Sequence, residues 1–133
     1  MMILKGKKIF GGNVEGEVMV QKENFSFLGD VNKETGIINA GTNAGKSFKG
    51  KIFVFPKGKG STLAPYVAFD CVTNGVAPKA ILCQKADGVV AMAAIMAGIP
   101  AVHQFKKDIM GEVQTGDYVK VDADSGIVEI LKE

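Results

Sequence analysis

The stretch KIFVFPKGKGSTLAPYVAFDCVTNG, residues 51–75, decides the fold, because it joins a short apolar run, a glycine-rich loop and a helical pattern. Residues 52–55 are β-branched or aromatic, which predicts a strand covered on both faces. Pro56 is expected to end this strand, since proline cannot donate to a sheet ladder. The helix that follows is expected to end at Asn74-Gly75, residues that tolerate the left-handed conformation closing many helices.

The loop between that strand and helix is a candidate ligand site. Ser61 follows Lys57-Gly58-Lys59-Gly60 and occupies the position expected for the helix N-cap. Open α/β sheets bind ligands beyond the carboxyl ends of their parallel strands, which is where this loop lies. Two lysines, free N–H groups and the helix dipole would favour an anion and the serine alkoxide there. A purely structural N-cap serine is the alternative interpretation.

The rest of the chain predicts a mixed α/β architecture. Strand, helix, strand, helix and strand between residues 51 and 103 imply two right-handed crossovers and a parallel core. We therefore expect one domain, residues 1–133, with a three-layer β/β/α fold in which antiparallel strands flank the parallel core. Besides those above, the predicted elements are strands 7–10, 15–20, 80–84, 101–103, 118–121 and 127–131 and a helix from Asp87 to Ala97, ended by Gly98.

The composition excludes several classes of partner. Of 133 residues, 47% are hydrophobic and 23% are charged, as in ordinary globular proteins. A net charge of +2 is too small to indicate binding to nucleic acid or to a membrane surface. The sequence shows neither a signal-peptide pattern nor an apolar run of roughly 18 residues, so we expect a cytoplasmic protein.

Few other side chains suggest chemistry. Cys71 and Cys83 are expected to be reduced core thiols, and two ligands cannot complete a zinc or cluster site, so no metal site is predicted. His103 is the one histidine. It could join Ser61 only in a triad that brings the two together across the sheet ends; a structural polar residue is the alternative.

A second candidate functional loop spans residues 39–49, NAGTNAGKSFK. Its GTNAGKS stretch differs from a phosphate-binding P-loop, because three residues rather than four separate the first glycine from Gly-Lys. A P-loop also requires a helix directly afterwards, whereas residues 48–55 are predicted to be a strand. Nucleotide binding is therefore not expected.

Two family resemblances follow from these motifs. Residues 91–95, 98–102 and 116–126 resemble the mobile phosphohistidine domains of phosphoenolpyruvate-utilising enzymes, but the phosphorylated histidine would fall at Met92, so phosphotransfer is not expected. Almost the whole chain resembles the small subunit of the aconitase X family. The matching motifs are GKGST at 58–62, NGVAPKAI at 74–81, AGIP at 97–100, Asp30 and ETG at 34–36.

The aconitase X resemblance implies a swivelling domain and half of a hydro-lyase. The implied reaction is dehydration of (R)-5-phosphomevalonate to trans-anhydromevalonate 5-phosphate in a modified mevalonate route. The family's catalytic serine, the proton acceptor, corresponds to Ser61. Its loop neighbours Lys57, Gly58, Lys59, Gly60 and Thr62 are candidates for binding a small anionic substrate. No cofactor is expected on this chain, and a large catalytic subunit is expected to carry an iron–sulfur cluster.

Two alternative functions remain open at this stage. Other aconitase X members act on hydroxyproline, and Ala64-Pro65 stands where many relatives have Gly-Ser, so a different hydroxy acid is one alternative. A non-catalytic swivel or binding module is the other.

Overall fold

The protein is described by a computed structural model, which covers residues 2–131. The strands are β1 (Met2–Lys5), β2 (Lys7–Phe10), β3 (Asn13–Val20), β4 (Ile52–Lys57), β5 (Ala80–Lys85), β6 (Ala101–His103), β7 (Tyr118–Asp122) and β8 (Ile127–Leu131). The helices are α1 (Phe27–Asp30), α2 (Ala64–Thr73), α3 (Gly88–Ala97) and α4 (Ile109–Glu112). No helix among the described residues is both long and apolar enough to cross a membrane.

The strands follow the order β1-β8-β7-β3-β4-β5-β6-β2. Strands β4, β5 and β6 are parallel, as predicted for the two crossovers through α2 and α3. Strand β3 belongs to two sheets: residues 13–17 pair antiparallel with β7, and residues 18–20 pair parallel with β4. The chain therefore has an inner, mostly parallel sheet and an outer antiparallel sheet that share one long strand.

Alternate side chains of the inner sheet enter two different cores. Phe53 and Phe55 of β4 point to the core under α2 and α3, whereas Ile52 and Val54 point to the core shared with the outer sheet. All four are fully buried, which is the physical reason for a continuous apolar run. This arrangement confirms the predicted three-layer β/β/α architecture.

Five phenylalanines form the centre of the core beneath the helices. Their ring centroids lie between 4.8 and 6.4 Å apart, mostly in edge-on or tilted pairs, which suits the aromatic quadrupole. The five are Phe25, Phe27, Phe48, Phe53 and Phe55. This cluster attaches the segment around residues 25–30 to β4, directly below the candidate loop.

Three details of the sequence prediction are wrong. Pro56 lies inside β4 and does not end it; the ladder with β3 stops at Val54, so the missing N–H of Pro56 breaks no bond to β3. Strand β4 begins at Ile52, as the apolar run 52–55 predicts, and the longer strand 48–55 is wrong because residues 49–51 form a turn. Helix α2 begins at Ala64, with Leu63 and not Ser61 as its N-cap. The sequence analysis also missed β1, α1 and α4, elements of four residues each.

Candidate functional site

Ser61 lies in the loop between β4 and α2 with a backbone conformation that a serine rarely adopts. Its φ is +81°, following Gly60 at +86°. For a residue with a β-carbon, the left-handed region costs about 1–2 kcal/mol, so neighbouring contacts must hold the loop in place. The side chain is exposed, and its Oγ accepts the N–H of Leu63 at 3.4 Å. The serine is thus presented ahead of the helix rather than used to cap it.

The segment around residues 25–30 holds the loop. The N–H of Phe25 donates to the Lys57 carbonyl at 2.9 Å, and Ser26 Oγ donates to the Gly60 carbonyl at 3.2 Å. The Asp30 carboxylate, whose side chain is 13% exposed, accepts the Ser26 N–H at 3.0 Å and pairs with Lys59 Nζ at 2.9 Å. The ion pair between Lys59 and Asp30 therefore fixes the loop to the segment around residues 25–30 and neutralises part of the positive charge of Lys59.

Gly58 permits the close approach of this loop to the start of α3. A β-carbon at Gly58 would lie 2.5 Å from Val90 Cγ2 and 2.9 Å from Asp87 Oδ2. Asp87 caps α3, as predicted, by accepting the Val90 N–H at 2.9 Å. Any side chain at residue 58 would therefore push the serine loop away from α3.

Two lysines lie side by side at the carboxyl edge of the inner sheet. Lys57 of β4 and Lys85 of β5 are partners in the parallel register, and both are exposed. Together with Gly58, Ala86 and Asp87 they line a cleft of about 260 Å³. Among residues 2–131, neither ammonium group has a carboxylate within ion-pair distance. Two cations at one cleft favour an anionic ligand, and the Asp87 carboxylate at the same cleft offsets part of their charge.

The catalytic triad considered from sequence is not formed. His103 lies on β6, two strands away from β4, and its buried Nδ1 has no hydrogen-bond partner among residues 2–131. Burial lowers the pKa of His103, and the positive charge of Lys7 on β2 lowers it further. A neutral imidazole without a bond to Ser61 is a structural residue in this arrangement.

The two cysteines do not fit an iron–sulfur cluster. Cys71 and Cys83 are free and buried, as predicted, in α2 and β5. Burial raises the pKa of Cys71 to about 11 and that of Cys83 to about 12, as expected for core thiols. Two cysteines alone do not complete the ligand set of a cluster. In the described part of the chain, no three His, Cys, Asp or Glu side chains form a group that could hold a metal ion.

The second candidate loop lies beside the end of β3. Asn43 is buried and donates to the Val20 carbonyl at 2.7 Å and to Gln21 Oε1 at 2.9 Å. With Pro56, Lys22 and α4, this loop lines a groove of about 850 Å³. A further groove, of about 690 Å³, lies over β7 and β8 and contacts none of the predicted site residues. Turns follow the GTNAGKS stretch in place of a helix, consistent with the rejection of a P-loop.

Sequence reasoning found the loop but not the residues that support it. The structure brings Lys57, Gly58, Lys59, Gly60, Ser61 and Thr62 together on one short stretch, with Thr62 exposed beside the serine. The missed residues are Ser26, which bonds Gly60, and Lys85, which joins Lys57. The sequence did point to Asp30, since this residue belongs to the motifs that match aconitase X. Ala64 and Pro65, where the chain departs from that family, are both buried in the first turn of α2.

A parallel β–α–β–α–β unit under an antiparallel sheet, with a serine loop at its carboxyl edge, defines a swivelling β/β/α domain. The sequence profile of the aconitase X swivel domain matches residues 3–130. This chain belongs to that family.

Solved and curated relatives extend over nearly the full chain. A protein of Thermococcus kodakarensis named phosphomevalonate dehydratase small subunit is 48% identical, over 99% of this chain and 98% of its own length. One of Archaeoglobus fulgidus with the same name is 46% identical, over 95% and 96%. The crystal structure of Thermococcus kodakaraensis aconitase X (holo-form) superimposes with a TM-score of 0.94 at 47% identity, covering 99% of this chain and 100% of the other.

Proposed function

We propose that this chain is the small subunit of a hetero-oligomeric hydro-lyase that dehydrates (R)-5-phosphomevalonate to trans-anhydromevalonate 5-phosphate, with Ser61 as the proton acceptor. The observation that carries the proposal is the exposed Ser61 in a left-handed backbone conformation, held by a dedicated set of contacts. Strain of this kind clusters at functional sites. The choice of phosphomevalonate as substrate is supported by the relatives, which are named phosphomevalonate dehydratase small subunits. The 133 residues would form one swivel domain of the enzyme.

The chemistry assigned to this chain is one proton transfer. In the dehydration, Ser61 as alkoxide takes a proton from the carbon next to the substrate carboxylate. The electrons of that C–H bond form the carbon–carbon double bond, and the hydroxyl on the next carbon leaves. We assign departure of the hydroxyl, and the iron–sulfur cluster that the family implies, to the large subunit, because the two cysteines of this chain are too few for a cluster and the described residues form no other metal-ligating group.

Charge at the carboxyl edge suits a substrate with two anionic groups. Lys57 and Lys85 line the cleft beside the loop, and neither is ion-paired within residues 2–131. We assign the substrate phosphate to the Lys57–Lys85 cleft, since a point charge on each side suits a compact dianion. Lys59 would position the loop through its ion pair with Asp30. Thr62, beside Ser61, would contact the part of the substrate that lies next to the serine.

The test uses the complex reconstituted from this chain and the large subunit of the same organism. Ser61→Ala should lower kcat about 10²–10⁴-fold, the usual contribution of a general base. Ser125→Ala, which changes an exposed serine in the turn between β7 and β8, is the matched control and should stay at the wild-type rate. A Ser61→Ala rate within about twofold of wild type would remove Ser61 as the base.

Substrate choice is tested in the same assay. Lys85→Gln should raise KM for phosphomevalonate about tenfold with little change in kcat, as for loss of binding shared by ground and transition states. Lys106→Gln, an exposed lysine outside the cleft, is its control. Preference for an unphosphorylated hydroxyproline would replace the substrate assignment, and inactivity of every complex would favour a non-catalytic swivel module.

A further inference from the structure

Helix α3 is apolar on all sides, although half of it faces outward. None of its residues, GVVAMAAIMA, has a charged or hydrogen-bonding side chain. Val90, Ala93, Ala94 and Ala97 are buried against the sheet. On the other side, Met92 is 53% exposed and Ile95 is 50% exposed. A helix that is hydrophobic all round normally lies inside a structure, and α3 is too short to span a membrane.

Helix α2 extends this apolar surface. Leu63, Tyr66, Phe69 and Val72 recur at three-residue spacing, so each lies about 60° further round the helix and together they cover its outward half. They are 41–58% exposed. Helices α2 and α3 pack against each other over the same core, so their outward faces are neighbours. We name this surface the helix-layer patch; it comprises Leu63, Tyr66, Phe69, Val72, Met92, Ile95 and Met96.

The helix-layer patch has little charge and is continuous with the candidate site. The one charged side chain of α2, Asp70, is paired with Lys33 at 3.2 Å. Leu63 lies two residues after Ser61, and Tyr66 follows one turn later. Exposed apolar side chains gathered on two neighbouring helices in this way mark a protein–protein interface.

We infer that the helix-layer patch is the surface that docks onto the large subunit. This inference rests on the proposed function, in which Ser61 completes a site whose other half lies on that subunit. The relatives are named small subunits, so a larger chain is the expected partner. A partner that covers the exposed Ser61 must also cover Leu63, at the start of the patch. A second copy of this chain there would block the large subunit from Ser61.

The experiment compares two isoleucine-to-lysine changes at similar exposure. Ile95→Lys lies in the helix-layer patch, and Ile3→Lys, at 59% exposure, lies on β1 of the outer sheet. Binding to the purified large subunit is measured by calorimetry. Ile95→Lys should raise Kd about 30-fold or more, the effect expected at an interface hot spot. Ile3→Lys should leave Kd unchanged. Tyr66→Lys serves as a second patch variant, and circular dichroism checks that each variant is folded.

The outcomes separate the docking inference from the proposed function. Wild-type Kd in folded Ile95→Lys and Tyr66→Lys would overturn the docking surface, even if the complex dehydrates phosphomevalonate. If the patch variants lose binding but the wild-type complex has no dehydratase activity, the docking surface is supported and the proposed function is overturned. A self-associating wild-type chain that Ile95→Lys turns into a monomer, with large-subunit binding unaffected, would assign the patch to a second copy and overturn the inference.

Discussion

At the scale of single residues, Ser61 is held by its surroundings in a conformation that its own chemistry disfavours. Gln104, φ +53°, is the other non-glycine residue of the described chain with positive φ. Gly60, at +86°, pays no such cost because it has no β-carbon. A glycine at residue 61 would suit the backbone better, so a requirement for the hydroxyl is the simplest reason for the serine.

Replacing the strained serine by glycine should separate stability from activity. Ser61→Gly should raise the free energy of unfolding by about 0.5–1 kcal/mol, because relief of the left-handed strain exceeds the added chain entropy of glycine. The same change should lower kcat in the complex about 10²–10⁴-fold, as for Ser61→Ala. Gln104→Gly, the matched control, should also be stabilising but should leave turnover intact. Urea denaturation gives the stabilities, and an unchanged Ser61→Gly stability would show that the loop stores no strain.

The single histidine permits a direct test of burial at β6. Burial, then Lys7, lowers the pKa of His103 in the folded chain, so the unfolded chain binds a proton more readily. Stability should therefore fall as pH drops through about 6.5, the unfolded value. Histidine proton NMR should give a pKa below 6.5, and Lys7→Gln should raise it. A measured pKa at or above the ordinary value would contradict the buried Nδ1.

At the scale of elements, the serine loop is positioned from both sides. The segment at residues 25–30 holds it through Ser26 and Asp30, and α3 lies against Gly58. Ser61 lies three residues before Ala64, the first residue of α2, so only the start of that helix borders the loop. The position of Ser61 therefore depends on two neighbours that are distant in sequence.

Adding one methyl group to the loop should test this close approach. Gly58→Ala should destabilise the chain by about 1–3 kcal/mol, because the new methyl overlaps Val90 and Asp87. It should also lower kcat in the complex by displacing Ser61. Gly88→Ala, in the first turn of α3, meets nothing within 4 Å and should be neutral or stabilising by up to about 1 kcal/mol. Equal urea midpoints for the two variants would rule out the tight contact at Gly58.

Most elements could be predicted from sequence because their signals are local. The strands at 7–10, 101–103 and 127–131 have the predicted bounds, and Asp87 and Gly98 limit α3 as expected from capping chemistry. The start of α2 was misplaced because Ser61 looks like an N-cap, while the loop contacts that keep it outside the helix come from residues 25–30. The prediction for Pro56 was wrong because β4 tolerates a proline beyond Val54, where the pairing with β3 ends, and the sequence of β4 does not show that point.

At the scale of the whole molecule, the inner sheet couples the three layers. Each of its central strands contributes side chains to both cores, and β3 continues from one sheet into the other. Loss of the inner sheet would therefore expose both cores together. We expect a single cooperative unfolding transition for this reason.

The two tyrosines of the chain report on different layers and can test this cooperativity. Tyr66 lies on α2 and Tyr118 on β7, and the chain has no tryptophan. Tyr66→Phe leaves a reporter in the outer sheet, and Tyr118→Phe leaves one in the helical layer. The urea midpoints from tyrosine fluorescence should coincide with each other and with circular dichroism. Separate midpoints would mean that the layers unfold independently.

The sequence by itself determined the β/β/α class, the parallel core and the loop that presents Ser61, because apolar periodicity, caps and glycines act over a few residues. Only the tertiary structure decided that Asp30 forms an ion pair with Lys59 and that Lys85 lies beside Lys57 in the sheet. It also decided that Ser61 lies outside α2 in a left-handed conformation. Those features come from residues tens of positions apart, and only the packing of strands and phenylalanines brings them together.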